Sequence, residues 1–239
     1  MAISFVPTQE DIERYRRMRA ISRALNSKLI KTAPREAYDD IGRALGIMRD
    51  GVLFFDSEDE TSVMMDCLLY DWRRDGKNLV QLYAEAHPAE PGSDESFLLQ
   101  AMVRARYGVL LLESVIPNAG VYCRDTLNAE ELFVMDLGLS RNASVEGGAI
   151  ATRTLPLGEY WMTGGAGLPV SSKMDIEGAF LQIVREHPTI QHGQSAVPLA
   201  IVRACLAAGV AEHLRYETES SLKKPQRQSN LPPRKRRWR

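Results

Sequence analysis

Five short apolar runs follow one another between Tyr107 and Gly164: "YGVLLLESVI", "VYCRDTL", "ELFVMD", "GAIATRTL" and "EYWMTG". Gly, Pro or Asn punctuates the gaps between them. Runs this short, rich in β-branched and aromatic residues and bounded by turn formers, read as strands rather than helices. Packed so closely in sequence, they predict a small, strongly bent antiparallel barrel of SH3-like or OB-like kind. "LPLG" at 155–158 is the expected turn before the last strand, and the glycine-rich "TGGAGLP" at 163–169 is the expected exit turn from the barrel.

Helical sequence lies on both sides. Thr8, three residues before Asp11, has the form of a capping box, and Glu10, Asp11 and Glu13 put negative charge where the helix dipole favours it. Ile12, Tyr15, Met18, Ser22, Leu25 and Leu29 then recur at intervals of three and four, the apolar stripe of an amphipathic, basic helix. Further helices are predicted from Pro34 to about Gly46, Glu60 to Trp72, Asn78 to Ala86 and Ser93 to Arg104. "RDG" (49–51), "RRDGK" (73–77) and "HPAEPG" (87–92) separate them. Beyond the strands, Ser172 with Asp175 opens a helix to about Glu186, and a mostly apolar helix runs from Ala196 to about Tyr216. The fold class is therefore α+β. The expected organisation is a helical module at 1–105, a five-stranded β module at 106–170, C-terminal helices at 171–221 and a disordered basic tail at 222–239.

The formal net charge of −1 hides a strong polarity. Residues 14–35 hold eight Lys or Arg and no acid, and residues 223–239 hold another eight and no acid. The stretch 36–222 carries 14 basic against 28 acidic residues, a formal charge of −14. Such asymmetry concerns partners rather than fold. In the tail, Arg234, Lys235, Arg236, Arg237 and Arg239 can each displace a counterion from a phosphate backbone, and Trp238 offers a face on which a base stacks. On the first helix, Arg14, Arg16, Arg17 and Arg23 form a basic face suited to phosphate contacts that position a ligand without reading sequence. The competing readings are a solubilising tail, a tail folded back on the acidic middle, and a solvated helix face. Charge alone does not choose among them.

Motifs for catalysis or metal chemistry are missing. Neither C-x-x-C nor H-E-x-x-H occurs, and His187, His192, Cys205 and His213 lack ligand spacing. "DSEDE" at 56–60 has Thr61 where a calcium loop needs glycine and Cys67 where it needs the distal Glu. "TGGAGLP" lacks the Lys-Ser/Thr ending of a P-loop, and no G-x-S-x-G elbow is present. No cofactor or metal is expected. Cys67, Cys123 and Cys205 stand far apart, which fits a reducing compartment better than a disulfide framework. Neither a signal peptide nor a membrane span is legible, so the expected location is the cytoplasm.

"LLYDWRRDGKNLVQLY" (68–83), "ARYGVLLLESVIPNAGVYCRDTL" (105–127) and "GGAIATRTLPLGEYWMTGG" (147–165) resemble an uncharacterised bacterial family in which a helical module and a small β module often accompany a SEC-C zinc motif. The resemblance covers about residues 40–170. The cysteine-rich zinc motif is absent from this chain, so no metal ligand carries over. What the resemblance implies is a helical plus small-barrel arrangement with no established reaction. Together with the charge pattern, the first expectation is a non-catalytic nucleic-acid-associated protein that contacts DNA or RNA phosphates through its tail and first helix. The alternative is a protein-interaction adaptor with an acidic central surface, and an enzyme of unknown reaction ranks third.

Overall fold

The computed structural model describes residues 5–55, 57–141, 145–171, 174–186 and 196–209. Helix α1 (Gln9–Thr32) begins as its sequence requires: the Thr8 hydroxyl accepts from the Asp11 amide at 3.2 Å, and the Asp11 carboxylate accepts from the Thr8 amide at 2.9 Å. Its buried face is Tyr15, Met18, Ser22, Leu25 and Leu29. Helix α2 (Arg35–Leu45) follows Pro34 and ends at Gly46 in the left-handed conformation. The two R-D-G turns form miniature hairpins, β1 (Met48–Arg49) with β2 (Val52–Leu53) and β3 (Arg73–Arg74) with β4 (Lys77–Asn78). Each turns through an Asp and a Gly of positive φ, the pairing favoured by tight hairpins. Helices α3 (Glu58–Tyr70), α4 (Leu79–Ala86) and α5 (Asp94–Val103) are capped by Ser57, Asn78 and Ser93, whose side chains each accept an amide of the first turn.

Strands β5 (Arg106–Ile116), β6 (Gly120–Asp125), β7 (Glu130–Met135), β8 (Ala149–Pro156) and β9 (Trp161–Pro169) close into a barrel of order β5-β6-β7-β9-β8. Every neighbouring pair is antiparallel except β7 and β9, which run parallel through Val134–Trp161 and Met135–Met162. The expectation of a wholly antiparallel barrel is corrected on that point, and the reason is topological. Five strands in a ring cannot all alternate in direction, so closure leaves one parallel pair. The stretch 163–169 is also not an exit turn; it forms the greater part of β9. Its glycines let β9 run close to β8 and α3, and a Cβ on Gly164 would stand 3.1 Å from both the Arg153 Cβ and the Asp66 Oδ1.

Strand alternation sends side chains into two apolar regions. Leu110, Leu112, Val121, Cys123, Leu132, Val134 and Ile150 fill the barrel. Tyr107, Phe133, Met135, Ala151, Leu155 and Met162 point outward and join the buried faces of α1, α2, α3 and α5 in one continuous core. Burial on both faces explains why these strands read as nearly unbroken apolar runs. Helix α6 (Ile176–Glu186) packs on α7 (Ala196–Ala207), whose Leu199, Ala200, Ile201 and Val202 reach the same core. Ser172, the distal part of the predicted last helix and the basic tail lie outside the described residues. Among the described residues no helix is long and apolar enough to cross a membrane. Cys67, Cys123 and Cys205 are free and buried.

Candidate functional site

A cleft of about 700 Å³ opens between α1, α3 and the barrel. Arg16, Arg19, Arg23 and Asn26 line it from α1, at intervals of three, four and three, on the helical face beside the buried stripe. Arg141 enters from the other side, at the end of the 3₁₀ turn Leu139–Arg141 that follows β7. Gly164, Gly165 and Gly167 of β9 present backbone there without side chains, and Gly165 adopts φ +102°, a conformation that side chains rarely take. Two carboxylates, Asp66 and Asp136, complete the charged lining.

Both carboxylates are engaged by other protein groups. Asp136 accepts the Thr163 hydroxyl at 2.5 Å and lies 3.5 Å from Arg19, which also donates to the Thr163 carbonyl at 2.7 Å and to the Tyr15 hydroxyl. Through its other oxygen Asp136 accepts the amides of Gly138 and Leu139, both at 3.0 Å, and so fixes the turn that carries Arg141. Asp66 accepts from Arg153 Nε at 3.1 Å, while Arg153 Nη2 donates to Asp71 at 2.6 Å. The Arg153 guanidinium lies over the rings of Tyr70 and Tyr107, at 4.6 Å and 5.0 Å, and the residue is buried. Burial raises the Asp66 carboxyl and pushes Asp71 up to about 6, although Arg153 pulls both down. For Arg153 burial works against the charge, and the two carboxylates outweigh it and hold the guanidinium protonated. Burial also raises the Cys67 thiol and the Tyr107 hydroxyl beside this group.

What remains is an excess of positive charge. Arg16, Arg23 and Arg141 make no ion pair among the described residues. Guanidinium groups match phosphate and carboxylate oxygens in bidentate geometry, so three of them at one cleft suit an anionic ligand. Asn26 adds a second unmet demand: its Oδ1 is buried and has no hydrogen-bond partner. A buried acceptor without a donor costs about 1–3 kcal/mol. Among the described residues no group of three or more His, Cys, Asp or Glu is placed to hold a metal ion.

Of the four arginines that the sequence marks on the first helix, the cleft gathers two, Arg16 and Arg23. Arg14 and Arg17 lie toward α5, where Arg14 covers the Phe97 ring at 4.7 Å and Arg17 pairs with Asp94 at 3.7 Å. Arg234, Lys235, Arg236, Arg237, Trp238 and Arg239 lie outside the described residues. Sequence reasoning missed Arg19, Asn26 and Arg141. The first two share a helical face with Arg16 and Arg23, a signal available from spacing alone. Arg141 carried none, because only the closure of the barrel brings the β7–β8 connection beside α1. Neither the curated proteins nor the solved structures contain a significant match to this chain. A family model does match, over residues 9–181, which takes in α1, the whole barrel and the cleft, and the chain belongs to that family, the family of unknown function DUF7986.

Proposed function

We propose that the protein is a cytoplasmic, non-catalytic nucleic-acid-associated protein that holds phosphates at the cleft between α1 and the barrel, with the basic tail adding non-specific attraction. The observation that carries this reading is the trio Arg16, Arg23 and Arg141, unpaired among the described residues, in a cleft whose own carboxylates are already engaged. Phosphate contacts of this kind position a strand and make its affinity fall steeply with salt. The test is fluorescence anisotropy of labelled single- and double-stranded DNA and RNA at two salt concentrations. It compares the full chain, a truncation ending at Ser221, and the full chain carrying Arg16→Glu and Arg23→Glu. The charge reversals should weaken binding at least tenfold and flatten the salt dependence, with the thermal melt unchanged because both side chains are exposed. Affinity that is unaffected by the reversals, or insensitive to salt, sinks the reading.

A protein-interaction adaptor is the second reading, favoured by one observation: Val52, Phe54 and Phe55 stand exposed together at and after the first miniature hairpin. Co-purification of a single protein partner that survives nuclease treatment and is lost in Phe54→Ser would favour it.

A further inference from the structure

We infer that the cleft takes one nucleotide unit, its phosphate held by Arg16, Arg23 and Arg141 and its sugar or base laid against Ile30 and Met65. The inference rests on the phosphate-binding reading of this same cleft and adds the chemistry of the ligand. Two observations point the same way. The volume of about 700 Å³ falls within the range that encloses small organic ligands and far exceeds what an inorganic ion fills. The lining is divided: besides its arginines it includes the half-buried apolar side chains of Ile30 and Met65, against which a phosphate alone would leave water.

The site also discriminates by shape. β9 contributes exposed backbone without a side chain at Gly165, so a ligand can approach the strand closely there, while the space beside Gly164 is filled by Arg153 and Asp66. A duplex keeps its base edges paired and could offer this cleft only its outer phosphates. A free nucleotide, or the 5′-phosphorylated end of a single strand, offers both the anion and a body with apolar faces.

The experiment is isothermal titration calorimetry on the full chain with the four ribonucleoside 5′-monophosphates, the matching unphosphorylated nucleosides, inorganic phosphate, and a short single strand with and without a 5′-phosphate. At least one monophosphate should bind tenfold or more tightly than its nucleoside and than inorganic phosphate. Arg23→Gln, an exposed change that leaves the fold alone, should abolish that advantage. A free nucleotide that outcompetes the phosphorylated strand assigns the site to small ligands; the reverse order assigns it to strand ends. Inorganic phosphate binding as tightly as every nucleotide overturns the inference. So does the absence of nucleotide binding while long strands bind through Arg16 and Arg23, which would leave the proposed function standing. Nucleotide binding without any affinity for strands would uphold this site and remove that function.

Discussion

Arg153 joins the helices to the barrel, and its surroundings set a pH dependence. One guanidinium serves two buried carboxylates, Asp66 and Asp71, between two tyrosine rings. With Asp71 raised by burial to about 6, the folded state holds that proton more tightly than the unfolded chain does. The resulting stability is complete below the ordinary carboxylate range near pH 4 and is lost as pH rises through 6. Asp71→Asn removes this titration, so the stability of the wild type relative to the variant should fall by on the order of 2–3 kcal/mol between pH 4 and pH 6.5. Urea melts across that range read it, and a difference that stays flat or rises contradicts it. Arg153→Met strands both carboxylates and should cost about 3–5 kcal/mol near neutral pH, and less at pH 4, where protonation relieves them. None of this was legible in "GAIATRTL": a lone arginine in an alternating strand reads as solvent-facing. Its partners lie 87 and 82 residues away, and only the helical layer over β8 buries it.

The elements themselves were largely written in local chemistry. Thr8, Ser57, Asn78 and Ser93 cap helices through hydrogen bonds within one turn, and the five apolar runs between turn formers are the five barrel strands. The parallel contact of β7 with β9 and the strand character of 163–169 escaped because each depends on a neighbour. Glycine is a turn signal in isolation, yet in β9 it answers the close passage of Arg153 and Asp66. Gly120 makes the same point more strongly, since a Cβ there would lie 2.3 Å from the Val134 carbonyl oxygen across the β6–β7 ladder. Backbone cannot retreat as a flexible side chain can, so Gly120→Ala should destabilise by at least about 1–3 kcal/mol. A lowered urea midpoint with an unchanged slope is the expected result. A variant as stable as the wild type would mean that β6 and β7 are not this close.

At the scale of the molecule, one buried core runs from α1 through α3 and α5 to the outer face of the barrel and on to α7. Trp72 sits in the helical layer and Trp161 on the barrel, so tryptophan fluorescence and far-ultraviolet circular dichroism of the unaltered chain should report the same urea midpoint. Two separate midpoints would show that helices and barrel unfold independently. This shared core also makes the cleft, because α1 is pinned to the barrel through Arg19 on Asp136 and Thr163 and through the Phe5 ring on Phe133 and Tyr160. The charge polarity of the sequence foretold that α1 would be basic; which of its arginines meet, and what faces them, needed the fold. The most direct test of the cleft as the phosphate site is an NMR titration of the arginine side-chain Nε–H resonances in the full chain with a 5′-phosphorylated single strand. Arg16, Arg23 and Arg141 should shift together and saturate at one concentration, with Arg14 and Arg17 little changed. Shifts confined to the arginines of residues 227–239 would contradict the account and return the binding to the tail alone.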